Sequence, residues 1–252
     1  MKKIFSLSVV LLFIPLIMLA DSAKTLFEIA NDHFNKGEYE QSITLYDSLI
    51  RNNIESSSIY FNLGNAWYKI DEIPKAILFY EKAKKIDPNN KDINYNLELA
   101  NTHIADRIEA VPEFFLKTWW KNIVYMFNEE EWTYINIGVF SLLMLFIIIY
   151  FVANKPNTKR LSFYFSIIFI LLSFTSGIIG FNSYKLKTTH NTSIIFTPTV
   201  NIKSAPDENS STIFILHQGT KVSLLDESKD WQKVKLSNGS EGWLLKTDFE
   251  KI

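Results

Sequence analysis

The chain has 252 residues, of which 47 % are hydrophobic and 15 % aromatic, and its 26 basic and 27 acidic side chains leave a net charge of -1. That balance supplies no basic excess for a phosphate backbone, so nucleic acid is not expected as a partner. Cysteine is absent, which excludes disulfides, thiol catalysis, thiolate-held metal and a lipid-modified N-terminal cysteine.

Residues 1–20 open with Lys2 and Lys3 and continue apolar from Ile4 to Leu19, the charge and length pattern of a secretory signal peptide. Cleavage after Ala20 would leave Met18, and cleavage after Ala23 would leave Asp21, at the position that prefers a small side chain. A cleaved leader and an uncleaved anchor therefore both stay open. Either one routes the next segment outward.

From Ala23 the sequence repeats at 34 residues: Ala30, Gly37, Tyr39, Ser42 and Tyr46 are matched by Gly64, Asp71, Ile73, Ala76 and Tyr80. In the second copy Tyr60, Leu63, Gly64, Trp67, Ala76, Tyr80, Ala83 and Pro88 resemble the tetratricopeptide pattern of two antiparallel helices. Gly37 and Asp71 stand in the turns, where a left-handed backbone is expected. A third copy begins at Lys91 with Tyr95 and Leu97 and departs after one helix, which predicts a cap on the stack at the end of a module over 23–110.

The same period sets Phe27, Phe61 and Tyr95 in register on the first helices, along with Asn31 and Asn65, and Phe34 and Tyr68. Aromatic side chains with interleaved amides suit an extended peptide or partner helix as ligand. The same residue types also serve ordinary repeat packing, and both readings stay open. Familiar repeats of this kind clamp a terminal carboxylate with cations. Here Phe27 and Asp92 stand where two of those cations would be, so that ligand is not expected.

Within 111–132, Phe115, Leu116, Trp119, Trp120, Ile123, Val124 and Phe127 recur at helical spacing. Two tryptophans beside an apolar span suit a helix in the membrane interface. Packing on the repeat stack is the other reading. Two runs without charged side chains follow, 133–153 and 161–184, each long enough for a transmembrane helix. The seven residues 154–160 between them carry Lys155, Lys159 and Arg160 and no acid, whereas Glu129, Glu130 and Glu131 precede the first run. This predicts an antiparallel hairpin with its loop in the cytoplasm and both flanking modules outside. On the second run Ser173, Ser176, Gly177 and Gly180 form small-x-x-x-small pairs, suited either to packing within the hairpin or to another membrane protein.

The last module, 190–252, is predicted as five short strands, Thr199–Lys203, Thr212–His217, Lys221–Asp226, Trp231–Leu236 and Glu241–Leu245, punctuated by Gln218-Gly219 and Asn238-Gly239. The run Asn201-Ile202-Lys203-Ser204-Ala205-Pro206, with Leu216, Gly219, Trp231, Val234 and Gly242-Trp243-Leu244, resembles the bacterial SH3 domain, with Lys203 in place of the more usual Arg. Such domains often bind cell-wall peptides or proteins. Trp231 and Trp243 are the candidate ligand surface, with core or rim packing as the other reading.

His33, His103, His190 and His217 are scattered, and no metal-ligand spacing, phosphate-binding loop or nucleophile motif appears. No cofactor, metal or catalytic residue is expected, and the chain does not read as an enzyme. The fold class expected is a multi-domain membrane protein: an all-α tetratricopeptide module, a transmembrane helical hairpin and an all-β SH3-like barrel. This order of parts resembles the BatE-like family of the Bacteroides aerotolerance group. The closest local correspondence runs through Tyr95-Asn96-Leu97, Ala100-Asn101, Asp106-Arg107-Ile108-Glu109, Pro112-Glu113-Phe114-Phe115 and Trp119-Trp120-Lys121. The resemblance implies an inner-membrane scaffold with both modules periplasmic, working with von Willebrand factor A-type membrane proteins. A peptidoglycan-binding sensor or tether is the alternative.

Overall fold

The computed structural model describes residues 23–109, 111, 112, 114–189 and 191–252. The leader expected at 1–20 lies outside them. The chain forms two compact units, one from the residues up to Val111 together with those after Thr189, the other from Pro112–Thr189.

The first unit opens with five helices: α1 over 23–35, α2 (Tyr39–Arg51), α3 (Ser57–Lys69), α4 (Ile73–Ile86) and α5 (Lys91–Asn101). Local chemistry sets their ends. Ser56 accepts from the Ile59 N–H, Asn90 accepts from those of Asp92 and Ile93, and Pro74 sits in the first turn of α4, where a missing donor costs nothing. The turns between paired helices pass through Gly37 at φ 80° and Asp71 at φ 65°. Close crossing of α3 and α4 requires Gly64, because a Cβ there would lie 2.7 Å from the Tyr80 ring. Ala30, Ala66, Ala76 and Ala83 are fully buried, and larger side chains such as Tyr46, Leu49, Leu63 and Tyr80 fill the space beside them.

The same unit continues into seven antiparallel strands: β1 (Thr192–Ile195), β2 (Thr199–Lys203), β3 (Thr212–His217), β4 (Lys221–Ser228), β5 (Trp231–Lys235), β6 (Glu241–Leu245) and β7 (Phe249–Lys251). Their order in the sheet is β3-β2-β6-β5-β4-β1-β7. Asn238-Gly239 makes the β5–β6 hairpin, with Gly239 at φ 92° and the Ser240 N–H donating to the Asn238 side chain. The five strands expected from sequence are present. The sequence reading missed β1 and β7, which pair with each other and, through β1, with β4.

Repeats and barrel share one interior. Adjacent residues of β1 point to opposite sides, as strand geometry dictates: Ile195 enters the barrel core with Val200, Ile202 and Val234. Ile194 and Ile252 instead join Ile77, Tyr80, Leu97 and Ala100 of the repeats. The segment after α5 does the same, with Ile104 packed on the repeat cluster and Ile108 on the barrel core.

The second unit holds α6 (Phe115–Val124), α7 (Glu129–Val152) and α8 (Pro156–Thr188). The last two are long and apolar enough to cross a membrane. A capping box starts α7: Asn128 accepts from the Glu131 N–H, and the Glu131 carboxylate accepts from the Asn128 N–H. Helix α7 starts before the apolar window at 133–153 and ends within it at Val152, and α8 extends past the window at 161–184 on both sides. Helix α8 begins at Pro156, so the connection expected at 154–160 is largely its first turn. Along the hairpin, Phe146 stacks on Phe165 and Phe169 at 4.9 and 5.4 Å. Asn136 Nδ2 donates to the Ser173 carbonyl and the Ser176 hydroxyl at 2.7 and 2.8 Å. A Cβ on Gly177 or Gly180 would press on Asn136 or Trp132, so the small residues of α8 face α7.

Candidate functional site

Helices α1, α3 and α5 carry the register residues. Phe27 and Phe61 are half-buried, and each ring lies 6.0 Å from the tyrosine of its own repeat, Tyr46 and Tyr80 respectively. Tyr95 is 67 % exposed. Phe34 packs edge-on against Tyr39 at 5.4 Å, and the Tyr68 hydroxyl lies 3.0 Å from His103 Nε2.

The two asparagines are fixed by a bonding pattern that itself repeats. Asn31 Oδ1 accepts from the Tyr46 hydroxyl at 2.5 Å and from Asn62 Nδ2 at 2.8 Å. One repeat later, Asn65 Oδ1 accepts from the Tyr80 hydroxyl and from Asn96 Nδ2, both at 2.8 Å. An amide oxygen has two lone pairs, so these oxygens are filled by the fold, and only the Nδ2 groups have donors to offer a ligand carbonyl. Asn62 and Asn96 stand 34 residues apart in the sequence, a signal that was legible. Burial pushes the Tyr46 hydroxyl up to about 12 and raises that of Tyr80 as well, so both remain donors at neutral pH.

On the barrel, Gln232, Val234, Gly242 and Leu244 point inward, which turns Trp231 and Trp243 to the outer face. Pairing sets Trp231 opposite Leu245 and Trp243 opposite Lys233, so the two half-buried indoles sit diagonally on neighbouring strands. Lys233 and Lys235 both pair with Glu241, at 2.9 and 3.2 Å. Lys203, also opposite Trp243, donates to the Ser210 carbonyl at 3.1 Å and so staples the loop after β2.

Sequence reasoning missed the polar seam between repeats and barrel. Asp106 Oδ2 accepts from the His217 N–H at 2.7 Å and the Thr220 hydroxyl at 2.6 Å, while Oδ1 lies 2.8 Å from His217 Nδ1. Burial pushes the Asp106 carboxyl up, but the bonds from Thr220 and His217 outweigh it and hold the group below its ordinary value. Lys221 pairs with Glu81 at 2.6 Å, and Lys85 donates to the Ile252 backbone oxygen at 3.2 Å. Gly219, at φ 88°, gives Ile104 room, since a Cβ would lie 2.5 Å from that side chain. No motif links residues more than 100 positions apart, so nothing in the sequence pointed to this contact.

Paired helices in a repeat stack, joined to a small barrel with two half-buried indoles on its outer face, define by class a protein built of interaction modules. Residues 57–90 match the tetratricopeptide repeat family and residues 198–249 the bacterial SH3 domain family. Both are non-catalytic modules that suggest protein partners. The barrel match begins at Pro198, after β1, so the strand that joins barrel to repeats lies outside it. No curated protein matches the chain.

Proposed function

We propose that this protein is a scaffold anchored in the inner membrane, BatE-like, that holds protein partners in its repeat groove with both modules periplasmic. Von Willebrand factor A-type membrane proteins are the partner class the family resemblance implies. The observation that carries the reading is the register of Phe27, Phe61 and Tyr95 along the first helices, with Asn31, Asn65, Phe34 and Tyr68 between them. The two apolar helices and the basic connection between them support the anchoring and orientation. A reporter active only in the periplasm should work when fused after Ile252 and fail when inserted near Asn157. For the groove, partners recovered from membranes with the full chain should be lost with Phe61→Ala while the protein keeps most of its stability. Full recovery with Phe61→Ala would count against the groove.

A second reading rests on the outward placement of Trp231 and Trp243, an aromatic face suited to a peptidoglycan ligand. The full chain would then sediment with purified peptidoglycan and lose this with Trp243→Ala. Absence of sedimentation leaves the scaffold.

A further inference from the structure

We propose that α6 lies in the headgroup boundary of a lipid bilayer, as a collar on the hairpin, with its free face turned to lipid. This rests on the reading that α7 and α8 span a membrane.

The apolar side of α6 is covered along one edge only. Trp120, Ile123 and Val124 pack on Trp132 and Ile179 of the hairpin, and the Trp132 Nε1–H donates to the Val124 carbonyl at 3.2 Å. Phe115, Leu116 and Trp119, which at about 100° per residue fall along the other edge of the same apolar side, are 67, 51 and 60 % exposed, and Phe114 and Met126 are exposed as well. Large aromatic side chains grouped in this way mark a surface that meets an apolar phase.

Its level along the hairpin selects lipid as that phase. Glu129 and Lys187 form an ion pair where the two long helices meet water. Trp132 lies three residues and Ile179 eight residues to the span side of that pair, or about 5 and 12 Å along the helix axes. The face of α6 that touches them is therefore held at the depth where headgroups give way to acyl chains. Trp and Phe favour that layer, where an amphipathic ring meets both phases.

The lack of cysteine makes single-cysteine spin labels clean reporters. Labels would be placed at Phe115→Cys and Trp119→Cys on the free face, Leu142→Cys on α7 and Asn209→Cys on the barrel. The full chain would then be reconstituted in vesicles of phosphatidylethanolamine and phosphatidylglycerol. Accessibility to oxygen and to a water-soluble nickel chelate then reads depth. Leu142 lies thirteen residues past Glu129, so labels at 115 and 119 should sit about 8–15 Å shallower than the label at 142, yet be shielded from nickel relative to the label at 209. Nickel access equal to that at 209 would put the face in water and overturn the proposal. Shielding from both reagents would overturn it too, by showing a protein or a second copy on that face. If the label at 142 is itself open to nickel, the membrane reading has failed rather than the collar.

Discussion

Helix α4 has two buried faces that obey different rules. Ala76, Tyr80 and Ala83 face α3, and each belongs to the 34-residue pattern. Ile77, Glu81 and Lys85, spaced by four, face the barrel through Ile194, Lys221 and Ile252, and one repeat earlier the same positions hold Ile43, Asp47 and Arg51. The first face is specified by close helix crossing, which demands small residues at fixed positions wherever such repeats occur. The second carries residue types that α2 also carries, and in α4 it meets the barrel at Ile194 and Ile252. The same helix thus shows that a repeat signature specifies how paired helices cross, whereas the surface that docks on the other side is not read from it.

Breaking the first face should have the largest effect. Tyr80→Ala removes a fully buried ring and the donor to Asn65, and a loss of about 3–5 kcal/mol is expected in denaturant unfolding of the full chain. Because Ile194 and Ile252 share the Tyr80 cluster, hydrogen exchange should show repeats and barrel losing protection together. A barrel that keeps native protection while the repeats open would show that the two faces of α4 act independently.

The seam should respond at an intermediate level. Asp106→Ala leaves the His217 N–H and the Thr220 hydroxyl without their acceptor, for an expected cost of about 1–3 kcal/mol, read as faster exchange at residues 217–220. The pH dependence has a fixed sign. A carboxyl held below its ordinary value of 3.8 contributes stability that is present above that value and is lost as pH falls through the folded value. Acid titration should therefore loosen the seam only below about pH 3.8, and Asp106→Asn should remove this component.

The buried tyrosines give the opposite dependence in the repeats. Tyr46 and Tyr80 are raised from the ordinary tyrosine value of 10.0, so the folded state keeps protons that the unfolded chain releases. Stability of the repeats should fall as pH rises above about 10, detectable as a falling melting temperature, with Tyr46→Phe flattening the decline. The smallest effect is expected at the rim of the seam. Lys221→Ala breaks the pair with Glu81, whose lysine is 44 % exposed, and should cost no more than about 1 kcal/mol, diminishing with salt.

How much of the fold could be read in advance varied with the kind of constraint. The turns at Gly37 and Asp71 and the hairpin at Asn238-Gly239 are local and were visible. Strand β1 was not, because Ser193, Ile194 and Ile195 are all buried. Covered on one side by the barrel and on the other by the repeats, it shows no alternation of polar and apolar residues. The groove residues were legible as a register but their bonding was not. Asn31 and Asn65 looked available to a ligand until Tyr46, Tyr80, Asn62 and Asn96 were seen to fill their oxygens. For the hairpin, hydropathy marked the apolar interior of each helix. The capping box and Pro156 set ends that lie in the polar flanks.

The sequence by itself determined the helix pairs, the two long apolar helices and the central strands, because each of those follows from periodicity, length or a turn residue within a few positions. Only the tertiary structure decided that repeats and barrel form one body, that Asp106 holds His217 and Thr220, and that α6 packs one edge of its apolar side on the hairpin while leaving the other edge bare. Those outcomes depend on which surfaces meet after the elements exist. Hydrophobic contact and buried hydrogen bonding between residues 100 or more positions apart leave no periodic trace in the chain.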